Sequence, residues 1–145
     1  MGVTTAMCTS FKGELLGGTH DLDTNTIKLA LIKSGESGTY GAATTNYSDV
    51  TGNSDEASGT NYSTGGNTLG SATISTSGTT AILDFADTTF SNATVSASGA
   101  IIYNSSDSNK AVAIIDFGST QSSDAGTFTV TMPAPGTGTA IIRIA

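Results

Sequence analysis

Thr127-Phe128-Thr129-Val130-Thr131-Met132 decides the fold class: Phe128, Val130 and Met132 fall on one side of an extended backbone and three threonines on the other. Side chains alternate across a strand with a period of two, so this stretch predicts a strand with one face in a core and the other in water. Working outward, residues 72–76, 80–86, 93–103, 110–117 and 139–144 also read as strands, separated by Gly, Ser, Asn and Asp turns. Closely spaced strands of this kind predict a mainly β fold, an antiparallel β-sandwich or barrel. Residues 111–115 and 140–144 are more continuously apolar and predict central strands, covered by neighbours. Further upstream, Ile27, Leu29 and Leu31 alternate with Lys28 and Ala30 as a first strand.

Only the N-terminus breaks this pattern. Over residues 4–16, Met7, Phe11 and Leu15 recur at helical spacing with Cys8 and Leu16 beside them, and Gly17 and Gly18 end the run. A helix this short is marginal alone and must dock its stripe on the β domain or on a neighbouring subunit. The expected organisation is a helical arm over 1–18 and one β domain over 19–145, with a long loop at 33–71. That loop far exceeds the usual connection of about 4–6 residues, which marks it as a contact element. Its spaced tyrosines bring large amphipathic area with little rotamer entropy to lose, which favours order. Phe11, Leu15 and Leu16 of the arm and Tyr40, Tyr47 and Tyr62 of the loop are the candidate partner contacts. A weaker pattern pairs residues 81–86 with 113–118, both carrying Asp-Phe before an expected turn, and assigns Asp84 and Asp116 to turns rather than to a carboxylate pair.

Composition excludes more than it names. The 145 residues are 37% hydrophobic and only 12% charged, which places the chain outside the charge-rich disordered class and predicts one core. The net charge of −7, with Lys12, Lys28, Lys33, Lys110 and Arg143 scattered along the chain, opposes binding to nucleic acid. Cys8 is the one cysteine, so no intramolecular disulfide forms and folding needs no oxidising compartment. The N-terminus does not resemble a secretory signal, and no run approaches the roughly 20 apolar residues that span a bilayer.

Chemistry-bearing motifs are sparse. His20 is the one imidazole, and neither a Gly-x-Ser-x-Gly elbow nor a phosphate-cradling Gly-x-x-x-x-Gly-Lys occurs, so no enzyme and no cofactor are expected. His20 reads as a turn residue and Cys8 as a small hydrophobe on the helix stripe. The spacing of Asp21, Asp23 and Asn25 opens like a calcium loop but departs at Thr26 and Ile32, where a glycine and a bidentate glutamate belong. Asn53, Asp55 and Glu56 could gather a hard cation only if the long loop folds around it. Both clusters read as solvated turns. Sequons at Asn46, Asn61, Asn92 and Asn104 are a by-product of a Ser- and Thr-rich chain.

Several longer segments carry a resemblance. Residues 5–21, the Ile-Lys-Leu-Ala-Leu-Ile strand, residues 59–69, the Asp-Phe-Ala-Asp-Thr-Thr-Phe-Ser-Asn-Ala-Thr segment and the Ala-Ile-Ile-Arg-Ile-Ala end look like those of small virion proteins of tailed bacteriophages. The likeness covers nearly the whole chain and brings no catalytic residue with it. It implies a structural role in the virion, foremost a capsid decoration or cement protein that bridges subunits of the major capsid protein. A homo-oligomer is then expected, a trimer being the form that fits local threefold axes of a shell. The alternatives are a neck, tail or fibre component, and a carbohydrate-binding β-sandwich module stacking its tyrosines on sugar rings.

Overall fold

The β-branched and small residues of the second half form two long strands joined by a tight turn, and the remaining elements are laid against them. The computed structural model describes residues 1–145. In chain order the elements are β1 (Gly2–Val3), β2 (Ala6–Met7), α1 (Thr9–Leu16), β3 (Ile27–Lys33), β4 (Thr39–Tyr40), α2 (Ser48–Gly52) and β5 (Asn67–Thr68). These are followed by β6 (Thr73–Ser77), β7 (Thr80–Asp84), β8 (Thr88–Asn104), β9 (Lys110–Val130) and β10 (Ile142–Ile144). One antiparallel sheet has the order β2-β9-β8-β3-β5, and a second the order β10-β7-β6; β1 and β4 form a short parallel pair. Leu83, Phe85 and Ile142 of the smaller sheet and its flank join Phe90, Phe128, Val130 and Met132 in a single buried cluster. The fold is thus mainly β, two antiparallel sheets sharing one core in a sandwich-like arrangement, with one short N-terminal helix and a further single turn, α2.

The deciding stretch behaves as its pattern requires. Phe128, Val130 and Met132 are buried, while Thr127, Thr129 and Thr131 face water. Residues 127–130 are not a separate strand, however, but the end of β9, which begins at Lys110. The interruption between them is a bulge: the register passes from Gly99 opposite Asp116 to Ala97 opposite Gln121. Gly118 takes a left-handed φ of +76° there, and Asp116 Oδ1 accepts its N–H at 2.8 Å. The turn expected after Asp116 is therefore an extra loop of chain inside one continuous strand, a common way to bend a long strand. Asp84 lies at the end of β7 without this arrangement, so the two Asp-Phe pairs are not equivalent.

Two other expectations are corrected. Residues 111–114 are buried in β9 between β2 and β8, as a continuously apolar run should be, but β10 is an edge strand paired only with β7. Arg143 and Ile144 are exposed on it. At the N-terminus the helix starts at Thr9 rather than residue 4, because Ala6 and Met7 pair with Ile114 and Ala113 instead. Cys8 N–H continues that ladder to Val112 O at 3.0 Å. The helix ends where the glycines predict: Gly18 at φ +78° donates to Leu15 O, and Thr19 donates to Glu14 O, the paired bonds of a Schellman cap.

Residues 1–18 consequently do not stand off as an arm. Cys8 and Phe11 are fully buried in the common core, and Phe11 packs on the His20 ring at 4.9 Å between centroids. Phe11→Ala should cost about 3–5 kcal/mol of stability, the range for truncating a buried phenylalanine. Urea denaturation measures it; a loss below about 1 kcal/mol, the scale of surface substitutions, would mean the helix is a detachable arm.

Candidate contact surface

The stretch between β3 and β5 is folded back along β3 by its own acidic residues. Lys33 N–H donates to Asp55 O at 2.8 Å and Ala57 N–H to Leu31 O at 2.9 Å, so residues 55–57 run beside β3 like a further strand. The Asp55 side chain is fully buried. Its carboxylate accepts from Tyr40 Oη at 2.6 Å, from the N–H groups of Ser37 and Gly38 at 3.0 and 2.8 Å, and pairs with Lys33 Nζ at 3.2 Å. Burial pushes this carboxyl up, but the Tyr40 hydroxyl, the two backbone N–H groups and Lys33 outweigh it and hold the group well below the usual carboxylate range.

Glu56 performs the matching task on the opposite side. It accepts from Tyr62 Oη at 2.9 Å, from Gly65 N–H at 2.6 Å and from Tyr47 Oη. Tyr62 Oη in turn accepts the N–H of Leu31 at 2.9 Å, standing in for a missing strand neighbour of β3. Tyr47 stacks on Tyr103 at 4.4 Å, and Tyr103 Oη donates to Gly65 O at 2.7 Å. At Gly66, φ is +72° and a Cβ would collide with the carbonyl oxygen of Leu29, so only glycine lets the chain return this close to β3.

These contacts relocate most of the residues expected to meet a partner. Tyr40 and Tyr62 are buried, Tyr47 is half-buried against Tyr103, and Phe11 is in the core. A sugar-stacking surface built on the tyrosines is thereby lost, since their faces are occupied by the chain itself. The region 33–71 is an ordered part of the domain rather than a long loop. Sequence reading found its tyrosines but missed why they are there: each hydroxyl has a carboxylate or backbone group to meet. Adjacent Asp55 and Glu56 in a tyrosine-bearing stretch were the available signal, and neither is a solvated turn residue.

The other candidates for chemistry are held in the same way. His20 is buried, its Nε2 2.8 Å from Glu14 Oε2 and its Nδ1 3.0 Å from Asn104 Nδ2. With Asn104 donating to Nδ1, the ring proton lies on Nε2 and is donated to Glu14. His20 is therefore a buried bridge between α1 and the end of β8 rather than a turn residue, and Asn104, one of the sequons, is fully buried with it. Burial raises the Cys8 thiol to about 12, with Asp49 and Glu14 adding to the effect, so it carries no thiolate near neutral pH. Asp21 stays exposed and its Oδ1 accepts from the N–H groups of Asp23 and Thr24, a self-contained Asx turn.

A groove of about 670 Å³ lies between α1, the edge strand β2 of the larger sheet and the edge strand β10 of the smaller one. Met7, Leu15, Leu16, Ile141 and Ile144 line it. Leu16 is 92% exposed and Ile144 50% exposed. Lys12 and Arg143 also line it, and no carboxylate does. Leu15 and Leu16 are thus the two expected contact residues that the fold leaves at an open surface. No protein-family model, no curated protein and no solved structure matches the chain. No helix is long and apolar enough to cross a membrane.

The network fixes a pH signature. Tyr40 and Tyr103 are pushed up to about 12 by burial, and Tyr47 and Tyr62 are raised as well, again chiefly by burial. Raised tyrosines stabilise fully below the unfolded value near 10 and lose that contribution as pH rises above it. Depressed Asp55 stabilises fully above the unfolded value near 3.9 and loses that contribution as pH falls. The urea midpoint should accordingly be flat between about pH 5 and pH 10 and fall on both sides, with tyrosinate absorbance at 295 nm rising only together with unfolding. Asp55→Asn should lower the plateau and flatten the acid flank; tyrosines titrating near pH 10 in the folded protein would refute the network.

Proposed function

We propose that this chain is a non-enzymatic structural protein of a tailed-phage virion, acting as a capsid decoration protein that bridges subunits of the major capsid protein. The observation that carries this reading is where the reactive groups go: Asp55, Glu56, His20, Cys8 and the tyrosines all hold the fold itself. A long segment with only two short strands and one helical turn is fixed by internal hydrogen bonds, which suits a small domain that must keep its shape on a shell. The apolar surface left at Leu15, Leu16 and Ile144 gives it a place to attach. The resemblance of its segments to small virion proteins supports the setting. Net charge supports the location, since a chain at −7 is repelled by packaged DNA and suits the outer face of a capsid.

Attachment of many copies would stabilise the assembled shell by mass action, because each copy binds the assembled lattice and not its free subunits. Quantitative mass spectrometry of purified virions should find the protein on the order of hundreds of copies per particle, in fixed ratio to the coat protein, as a repeated shell site requires. A few copies per particle would overturn the decoration role in favour of a neck or tail position. Absence from particles would overturn the virion role.

A further inference from the structure

β10 has the sequence of an interior strand and the position of an edge. Ala140-Ile141-Ile142-Arg143-Ile144 is a nearly continuous apolar run, yet β10 has β7 on one side and no strand on the other. Open edges are normally blunted by charge, proline or a covering element, because their unpaired N–H and C=O groups recruit further strands. Here Arg143 and Ile144 of β10 line the groove together with Ala6 and Met7 of β2, itself the terminal strand of the larger sheet. The groove is therefore flanked by two unfinished sheets.

Its charge is equally specific. Of the five basic residues, Lys33 and Lys110 are paired with Asp55 and Asp107. Lys12, Lys28 and Arg143 have no ion-pair partner, and two of these three, Lys12 and Arg143, line the groove in a chain whose net charge is −7. We infer that the groove takes an extended segment of a partner protein, alternating apolar and acidic side chains, which adds as a strand to the free edge of β10. Its apolar side chains would cover Leu15, Leu16, Ile141 and Ile144, its backbone would pair with β10, and its carboxylates would meet Lys12 and Arg143. Alternate side chains of a strand point to opposite sides, so one short segment can meet the apolar floor and the cations together.

A second copy of this chain does not supply such a segment. The large apolar side chains it exposes are Met1, Leu16, Ile74 and Ile144. Leu16 and Ile144 belong to the groove, Met1 is bonded through its ammonium to Thr39, and Ile74 lies in Thr-Ile-Ser-Thr-Ser, which has no acid. This inference deepens the contact role proposed above and borrows from it only that the partner is another virion protein. Its test uses the purified chain, so it can fail while the copy number in particles succeeds, and the reverse.

The probe is the peptide acetyl-Ser-Val-Asp-Val-Glu-Val-Ser-amide, with a version carrying lysine at both acids and a version N-methylated at the central valine. Nitrogen-15 NMR should show the acidic peptide shifting amides of residues 5–7 and 141–144. Both altered peptides should bind about tenfold or more weakly, as should the acidic peptide to Lys12→Glu/Arg143→Glu, while Lys28→Glu/Lys110→Glu retains binding. The control pair makes the same change in net charge away from the groove. Shifts confined elsewhere, equal binding of the acidic and lysine peptides, or insensitivity to N-methylation would overturn the inference. So would groove-mediated self-association on sedimentation, or binding of dodecanoate with none of the peptide.

Discussion

The buried carboxylate of Asp55 is the constraint on which the rest of the structure depends. A buried carboxylate is tolerable only when donors replace the water it has lost, and four residues of one segment do so: Lys33, Ser37, Gly38 and Tyr40. Meeting that demand fixes the return of the chain after β3, seats residues 55–57 against β3, and places Glu56 where Tyr47, Tyr62 and Gly65 can reach it. Each of these ties is modest by itself, about 0.5–1.5 kcal/mol for an ordinary hydrogen bond and more for a charged one. Together they order a segment that has few large apolar anchors of its own. Removing one partner would strand the others without water, which makes the network act as a unit.

The larger sheet supplies the platform for this network and also limits where the molecule can bind. On one flank of β3, the main chain of residues 55–57, β5 and the Tyr62 hydroxyl take up its edge. On the opposite flank of the sheet, β2 ends the ladder beside α1, and the apolar groove lies there. One side of the domain is therefore closed by polar side chains acting as strand substitutes, and the other is left with apolar groups and cations. Asp55 and Glu56 are drawn inward to hold the backbone on the first side, and two of the three unpaired cations, Lys12 and Arg143, lie at the groove on the second.

Strand positions were legible in the sequence where one face is buried, because alternation alone separates Phe128, Val130 and Met132 from their threonines. The helix stop was legible in Gly17 and Gly18, and the burial of Cys8 in its neighbours. The helix start was not, because Met7 and Cys8 satisfy helical spacing and extended pairing equally, and the ladder to Val112 and Ala113 decides between them only in the folded chain. Periodicity also split β9 in two, since a bulge at Gly118 and a turn look alike in sequence. The edge position of β10 was hidden for a related reason: hydrophobicity reports that a strand wants to be covered, not by what. Of the candidate contacts, only Leu15 and Leu16 lie at an open surface. The tyrosines were correctly singled out as ordering elements, but their carboxylate partners make them internal.

Native-state hydrogen exchange measures the central claim most directly, because it reports separately on the β3–β5 segment and on the core hairpin. If the carboxylate network holds this segment as part of the domain, the amides of Ser37, Gly38, Ala57 and Gly65 exchange only through the opening that also exposes β8, with closely similar opening free energies. Exchange of those four amides at the rates of a free loop, while β8 stays protected, would contradict the account.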